Sequence, residues 1–239
     1  MDDNYTQKIN IGARILDSAR GNLYLAMRFM DIALCAFAYK PDEGRQMAGT
    51  DGNVIYYCPD YVMDRYEAGR GYADRLYLHM TLHCIYRHIF RISNRKVRLW
   101  NLACDIAVEH VIDGLPYGCV RMRIPAVRDL CYRKISEYTS ILNADLIYKY
   151  LENNPMDEDT LKAWENEFLV DDHTYWYRED KNSRSNMKNE QKWDDISRKM
   201  QTSMETIEKG IGHDDKNLYD SIQTVSYTHL RAHETVLDL

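Results

Sequence analysis

Two histidines, His79 and His83, stand four residues apart in an apolar segment that predicts a helix. Side chains four apart on a helix differ by about 40° around its axis, so both imidazoles lie on one face. This is the spacing by which a helix offers two ligands to one zinc ion. Because paired histidines on apolar helices are more often core or surface residues, the pair needs further ligands before it indicates a metal site.

A third ligand is predicted from the next helix along the chain. Asn101, Asp105 and Glu109 recur at four-residue steps and form one polar stripe on an otherwise apolar helix. Asp105 lies mid-helix between apolar neighbours, where a charged group needs a partner or a metal ion. We therefore predict His79, His83 and Asp105 as metal ligands, with Glu109 and His110 as the fallback ligands.

The residue after the first histidine weakens the prediction of catalysis. Zinc peptidases with the motif H-E-x-x-H use its glutamate to take a proton from the metal-bound water. Met80 occupies that position here and cannot transfer protons. The loss of a general base typically lowers the rate by about 10²–10⁴-fold. Glu109 is the only other candidate for this role, and His88 is predicted to lie at the helix end or behind the ligands.

The surrounding pattern predicts a mostly helical protein with one small β element. A hairpin is expected over residues 46–57, where Asp51-Gly52 forms the turn before a run of strand-forming residues. The stretch 178–190 is polar and is expected to be mobile. Apolar residues at three- and four-residue steps predict helices over 11–38, 72–92, 97–113, 139–152, 157–168 and 190–209, and Pro125 predicts the start of one more.

Composition places the chain among ordinary soluble proteins. Of 239 residues, 45% are hydrophobic and 28% are charged, which excludes a disordered or collagen-like protein. No run approaches the roughly 18 apolar residues that a membrane span needs. The six cysteines form no CxxC pair and the start is acidic, which favours a reduced, cytoplasmic protein.

Charge is segregated along the chain. Basic residues are in excess over residues 70–150 and acidic residues over 151–224. The basic middle could contact nucleic acid, but no RNA- or DNA-binding motif surrounds its arginines. We favour the alternative that it packs against the chain's own acidic segment or is solvated.

At these residues a family resemblance appears. The chain resembles the metallopeptidase domain found N-terminal to a von Willebrand factor A-like domain in bacterial proteins. The matching elements, over about residues 10–224, are TDGNVIYYCPDYV, YLHMTLHCIYRHIF, LWNLACDIAVEHVID, LVDDHTYWY and KWDDISRKMQTSMET. Typical members carry H-E-L-L-H, so Met80 is a departure from the motif.

The resemblance implies an α+β, zincin-like fold in which a small sheet lies beside the metal helix. Val54–Tyr57 would be the edge strand next to the cleft. The resemblance also implies that His79, His83 and Asp105 are zinc ligands and that the substrate is a peptide or protein. Because of Met80, peptidase activity is expected to be weak or absent. For Asp171-Asp172-His173 two readings stay open: a helix-capping turn, which we favour, or groups that line the cleft or support the ligands.

The resemblance also implies a domain order and a partner. Residues 1–170 would form the metallopeptidase-like domain and 171–224 an acidic, partly flexible helical extension toward a missing A-like domain. Residues 225–239 resemble sequencing-adapter read-through, so His229 and His233 receive no functional weight. Family members are often paired with an AAA-type ATPase.

The sequence leaves three hypotheses for the function: a zinc hydrolase, a non-catalytic interaction module, or a nucleic-acid-binding protein.

Overall fold

A computed structural model describes residues 3–91, 94–177 and 183–210. Their strands are β1 (Ala38–Pro41), β2 (Ala48–Thr50) and β3 (Val54–Tyr57). Their helices are α1 (Asp3–Ala26), α2 (Asp31–Leu34), α3 (Pro59–Ala68), α4 (Arg70–Ile85), α5 (Val97–Gly114), α6 (Ala126–Tyr138), α7 (Ala144–Asn153), α8 (Glu158–Phe168) and α9 (Ser183–Gly210). Short 3₁₀ turns lie at Arg28–Met30, His88–Phe90 and His173–Tyr177. The mostly helical α+β class is confirmed.

The first predicted helix, over residues 11–38, is wrong in both its start and its end. Helix α1 begins at Asp3 and ends at Ala26, and Met27 leaves helical geometry with φ −132° and ψ 66°. A 3₁₀ turn and the short α2 follow, and the chain then extends into β1. Met27, Met30 and Leu34 are all buried in the core. Their spacing therefore resembles that of one continuous helix, although the helix is interrupted after Ala26.

The predicted hairpin is confirmed, but its second strand is not at the sheet edge. β2 pairs antiparallel with β3, and β1 pairs in parallel on the other side of β3, so the strand order is β1-β3-β2. Val54–Tyr57 is therefore the central strand, and its prediction as the edge strand is wrong. The reason is that β1, which begins at the last residue of the predicted first helix and was not predicted as a strand, pairs with the other side of β3.

Helix α4 carries the histidine pair through the middle of the protein. Every residue from Ala73 to Ile85 is buried, so the helix is enclosed on all sides and not only along one stripe. The helix ends at Ile85, earlier than predicted, because Arg87 adopts a left-handed conformation with φ 60°. The following 3₁₀ turn carries His88, which confirms that this histidine lies at the helix end.

Helix α5 packs beside α4, and the later helices surround this pair. α7 and α8 both pack against α5, and α6 packs against α8. Side-chain caps set where two of them begin: Asn143 accepts from the backbone N–H of Leu146, and Asp157 accepts from that of Thr160. The helices predicted over 97–113 and 157–168 match α5 and α8 closely, whereas α7 begins five residues after the predicted residue 139, at Ala144.

Helix α9 begins before the predicted residue 190. The polar stretch predicted to be mobile is helical from Ser183, whereas residues 178–182 lie outside the described part. Its buried Trp193 donates from Nε1 to the carbonyl oxygen of Gly52 at 2.7 Å. The predicted boundary at residue 170 stays a prediction, and residues 211–239, including the tail, lie outside the described part.

No helix within the described ranges combines the length and the apolar character needed to cross a membrane.

Candidate metal centre

Five buried side chains bring potential metal ligands to one point between α4, α5 and the segment after α8. We call these residues the His/Asp cluster: His79, His83, Asp105, Asp171 and His173. One ligand atom from each lies within 4.8 Å of all the others. The predicted ligands His79, His83 and Asp105 are therefore brought together. The segment after α8 adds Asp171 and His173 to them.

Imidazole nitrogens and carboxylate oxygens face one another across short distances. The Nε2 atoms of His79 and His83 lie 2.8 Å apart. Oδ1 of Asp105 lies 3.3 Å from each of these two nitrogens. A third imidazole nitrogen, Nε2 of His173, lies 3.0 Å from Oδ1 of Asp105 and 2.9 Å from Oδ1 of Asp171. Three nitrogens and two carboxylates thus converge without intervening apolar atoms.

Several of these atoms are close together but lack hydrogen-bond geometry. Asp105 Oδ1, both carboxylate oxygens of Asp171 and His173 Nε2 are buried and have no hydrogen-bond partner among the described residues. Buried polar atoms without such partners are costly, and each calls for an explanation such as an ion. Imidazole and carboxylate are the donor types that bind zinc and neighbouring divalent ions. The residues therefore fit a divalent cation.

Burial and the neighbouring carboxylates shift the pKa values of the cluster histidines. Burial alone lowers the pKa of His173, but Asp105 and Asp171 outweigh it and raise that pKa to about 9. The pKa of His79 is likewise raised against the effect of burial, by Asp105, Asp171 and Glu109. Burial and the charge of His79 lower the pKa of His83 to about 4. The aspartates thus favour the charged forms of His79 and His173, and a divalent cation can supply positive charge in their place.

The other ring nitrogens of the α4 histidines are also engaged. Nδ1 of His79 lies 2.8 Å from Oε1 of Glu109, and Nδ1 of His83 lies 2.9 Å from Nδ1 of His88. A histidine that donates from Nδ1 carries its lone pair on Nε2, the nitrogen that faces the cluster. His88 thus lies behind a cluster histidine and not within the cluster.

Comparison with known proteins is decisive at this point. The model of a family described as "Putative metallopeptidase domain" matches residues 13–223. The chain belongs to this family. No curated protein and no solved structure matches it.

For this metallopeptidase-family domain, the remaining predicted site residues are placed as follows. Met80 is fully buried in the hydrophobic core and adds no proton-transfer group beside His79. His110 is exposed and its ring packs against Tyr132, away from the cluster. Glu109 lies at Nδ1 of His79, on the far side of the ring from the cluster, and is not among the five residues whose ligand atoms converge.

The segment Asp171–Tyr177 contains one capping residue and two members of the His/Asp cluster. Asp172 accepts from the backbone N–H of Thr174 at 2.9 Å, as a capping residue does. Its neighbours Asp171 and His173 belong to the cluster, so the capping turn that we favoured from the sequence describes Asp172 but not these two residues. The segment is held against β2, where the N–H of Asp172 donates to the carbonyl oxygen of Ala48 at 2.7 Å.

The predicted link between basic and acidic segments is visible in three ion pairs. Arg98 pairs with Glu158 and with Glu165, and Arg128 pairs with Glu167 at 3.2 Å. Arginines of the basic middle therefore meet carboxylates of the acidic segment within the domain.

Proposed function

We propose that this domain binds one zinc ion in the His/Asp cluster, with His79, His83 and Asp105 as ligands and with Asp171 and His173 completing the site. The observation that carries this proposal is the convergence of five buried donors, among which Oδ1 of Asp105 and both carboxylate oxygens of Asp171 have no hydrogen-bond partner among the described residues. Two ionised carboxylates in a buried site are stable only with compensating charge. A dication supplies that charge.

We infer zinc in preference to other ions from the donor types. Three imidazoles suit zinc, copper, iron and nickel, whereas all-oxygen sites suit magnesium and calcium. Because family membership and donor chemistry are both satisfied by zinc, it is the ion to test first. Copper, iron and nickel are the competitors in the same assay.

The proposed activity is weak or absent cleavage of peptides or proteins. Catalytic zinc sites keep three protein ligands and an open position for water, whereas five protein donors converge here. When bound, zinc acidifies a water molecule and polarises a carbonyl group. Met80 cannot accept a proton from such a water, and Glu109 is occupied on the opposite side of His79.

The experiment begins with metal analysis of the purified full chain. We expect about one zinc per chain at neutral pH, lost in His83→Ala and Asp105→Ala, as in sites where each ligand is required. A wild-type chain without bound zinc after incubation with the ion would overturn the proposal. Preferential retention of another metal would overturn the identity of the ion alone.

Activity is tested by placing a carboxylate after the first histidine. We expect the wild-type chain to leave casein and peptide libraries uncut, and Met80→Glu to create zinc-dependent cleavage. Met80→Gln is the matched control, because it has similar size and polarity but no base. Because residue 80 is buried, the zinc content and circular dichroism of both variants must match those of wild type. Wild-type cleavage as fast as that of Met80→Glu would contradict the assignment.

A non-catalytic interaction module is the alternative, and the five-donor cluster together with Met80 favours it. In that case the domain would serve as an arm of a longer protein with an A-like domain and would work with an AAA-type ATPase. Pull-down of a purified ATPase of this class by the zinc-loaded domain, together with inactive Met80→Glu, would support this alternative over hydrolysis.

A further inference from the structure

Among the described residues outside the His/Asp cluster, Glu109 is the most enclosed carboxylate. Its side chain is 1% exposed, and its two oxygens face different partners. Oε1 lies 2.8 Å from Nδ1 of His79, whereas Oε2 contacts the guanidinium groups of Arg75 and Arg128. The carboxylate is thus fixed from one side by two cations and offers its other oxygen to a single imidazole nitrogen.

A second carboxylate, Asp113, holds the same two arginines from one helical turn further along α5. Its Oδ1 lies 2.7 Å from Nη2 of Arg75, and its Oδ2 lies 3.3 Å from Nη1 of Arg128. Arg128 also pairs with Glu167, so each of the two guanidinium groups is held by at least two carboxylates. What this network supplies to His79 is an acceptor oxygen that is fixed in place.

We propose that Glu109, held by Arg75 and Arg128, is the positioning residue that sets the tautomer and ring orientation of His79 for the metal. The inference rests on the proposed zinc site. A fixed carboxylate at Nδ1 requires the ring to donate there, so the lone pair stays on Nε2, which faces the cluster. Partners of this kind typically contribute 10–100-fold in metal affinity.

The most informative variant is Glu109→Gln. It preserves the size of the side chain, but the new amide must direct its oxygen to one neighbour and its NH₂ group to the other. Arg75 and Arg128 are donors without acceptor atoms, so they favour the carbonyl oxygen of the new amide. Its NH₂ group then faces Nδ1 of His79, which must accept and carry its hydrogen on Nε2. The variant thus presents the wrong face of the imidazole to the metal.

Asp113→Asn is the matched control. It makes the same change of carboxylate to amide against the same two arginines, but Asp113 has no contact with His79. Both variants of the full chain are titrated with zinc in competition with a chromophoric chelator. We expect affinity to fall about 10–100-fold in Glu109→Gln and less than about threefold in Asp113→Asn. Equal losses in both variants would overturn the positioning role.

A second measurement does not depend on the folding of a variant. In the wild-type chain loaded with cadmium-113, nitrogen NMR identifies which nitrogen of His79 is coupled to the ion. Coupling to Nε2 with a hydrogen on Nδ1 is expected, and coupling to Nδ1 would overturn the inference. If wild type binds neither zinc nor cadmium, the proposed function fails and this inference with it, whereas wild-type affinity in Glu109→Gln would overturn the inference alone.

Discussion

The Nε2 atom of His173 lies 3.0 Å from Oδ1 of Asp105, although His173 belongs to the turn after α8 and Asp105 to the middle of α5. The His/Asp cluster is therefore completed by a segment that lies outside both α4 and α5. That segment is placed by contacts with the sheet, since Asp172 bonds to β2 and the Tyr175 ring stacks on that of Tyr56, with centroids 4.7 Å apart. Changes in the sheet should consequently be felt at the cluster.

Gly49→Ala tests this dependence without altering any cluster residue. A Cβ atom at Gly49 would lie 2.4 Å from the carbonyl oxygen of Asp172 and 2.5 Å from the Tyr175 ring. The backbone contact cannot be relieved by rotating a side chain, so the segment carrying Asp171 and His173 must move. We expect zinc affinity, measured by chelator competition, to fall at least about tenfold, since misplaced ligands bind the ion poorly.

Gly21→Ala is the control for that experiment. It lies in α1, and a Cβ atom there meets nothing within 4 Å. Replacing a glycine inside a helix by alanine stabilises the fold by about 0.5–1 kcal/mol, so this variant should gain stability and keep its zinc. Unchanged zinc affinity in Gly49→Ala would show that the segment is not held by the sheet.

His173→Ala tests whether the third imidazole binds the ion. It removes one of the five donors, and we expect zinc affinity to fall by at least about tenfold. Cobalt-substituted protein should also change its visible absorption, because the number of nitrogen ligands changes. His110→Ala is the matched control, because that histidine is exposed on α5 and lies outside the cluster. Equal spectra for wild type and His173→Ala would exclude His173 from the metal.

Spacing along one helix was sufficient to predict part of this site. Four-residue steps placed His79 with His83 and aligned Asn101, Asp105 and Glu109, because side-chain direction on a helix is fixed locally. The split between Asp105 as cluster member and Glu109 as the partner of Nδ1 was not predictable. This split depends on the point at which α4 and α5 cross, and that point is set by tertiary packing.

The contributions of distant segments had weaker signals. Arg75 lies four residues before His79, so its position on the same face was readable, but its partner Arg128 carried no periodic signal. The segment Asp171-Asp172-His173 was noticed through the family resemblance, yet its approach to α5 depends on contacts with β2. The edge position predicted for Val54–Tyr57 was wrong for the same reason, because the pairing of β1 with β3 is a tertiary contact and β1 was not predicted as a strand.

Asp74 should make stability depend on pH independently of the metal site. Burial raises the pKa of this carboxyl to about 6, and hydrogen bonds from Asn22 at 3.2 Å only partly offset the effect. The folded state therefore holds a proton that the unfolded chain releases near pH 4. Between about pH 4 and 6, the free energy of unfolding should fall as pH rises, because the folded state binds more protons.

Asp74→Asn should remove this loss. At pH 7.5 we expect the free energy of unfolding in urea to rise by about 1–2 kcal/mol. This is less than the full pKa difference at about 1.4 kcal/mol per unit, because the new NH₂ group must itself be buried. The difference between variant and wild type should vanish near pH 4. Asp64→Asn, an exposed aspartate on α3, should show no such pH-dependent gain, and a parallel gain there would refute the assignment.

Trp193→Ala tests whether α9 belongs to the same folding unit as the cluster. The Trp193 ring is fully buried, its centroid lies 5.3 Å from that of Phe37, and its Nε1 bonds to Gly52 in the hairpin turn. Removing a buried tryptophan side chain typically costs about 3–5 kcal/mol. We expect a loss of this size in one cooperative urea transition that also releases the zinc. Met187→Ala on the same helix is the control, since that side chain is 68% exposed and should change stability by less than about 0.5 kcal/mol. A separate early transition that leaves zinc bound would instead make α9 an independent extension, as the boundary predicted at residue 170 requires.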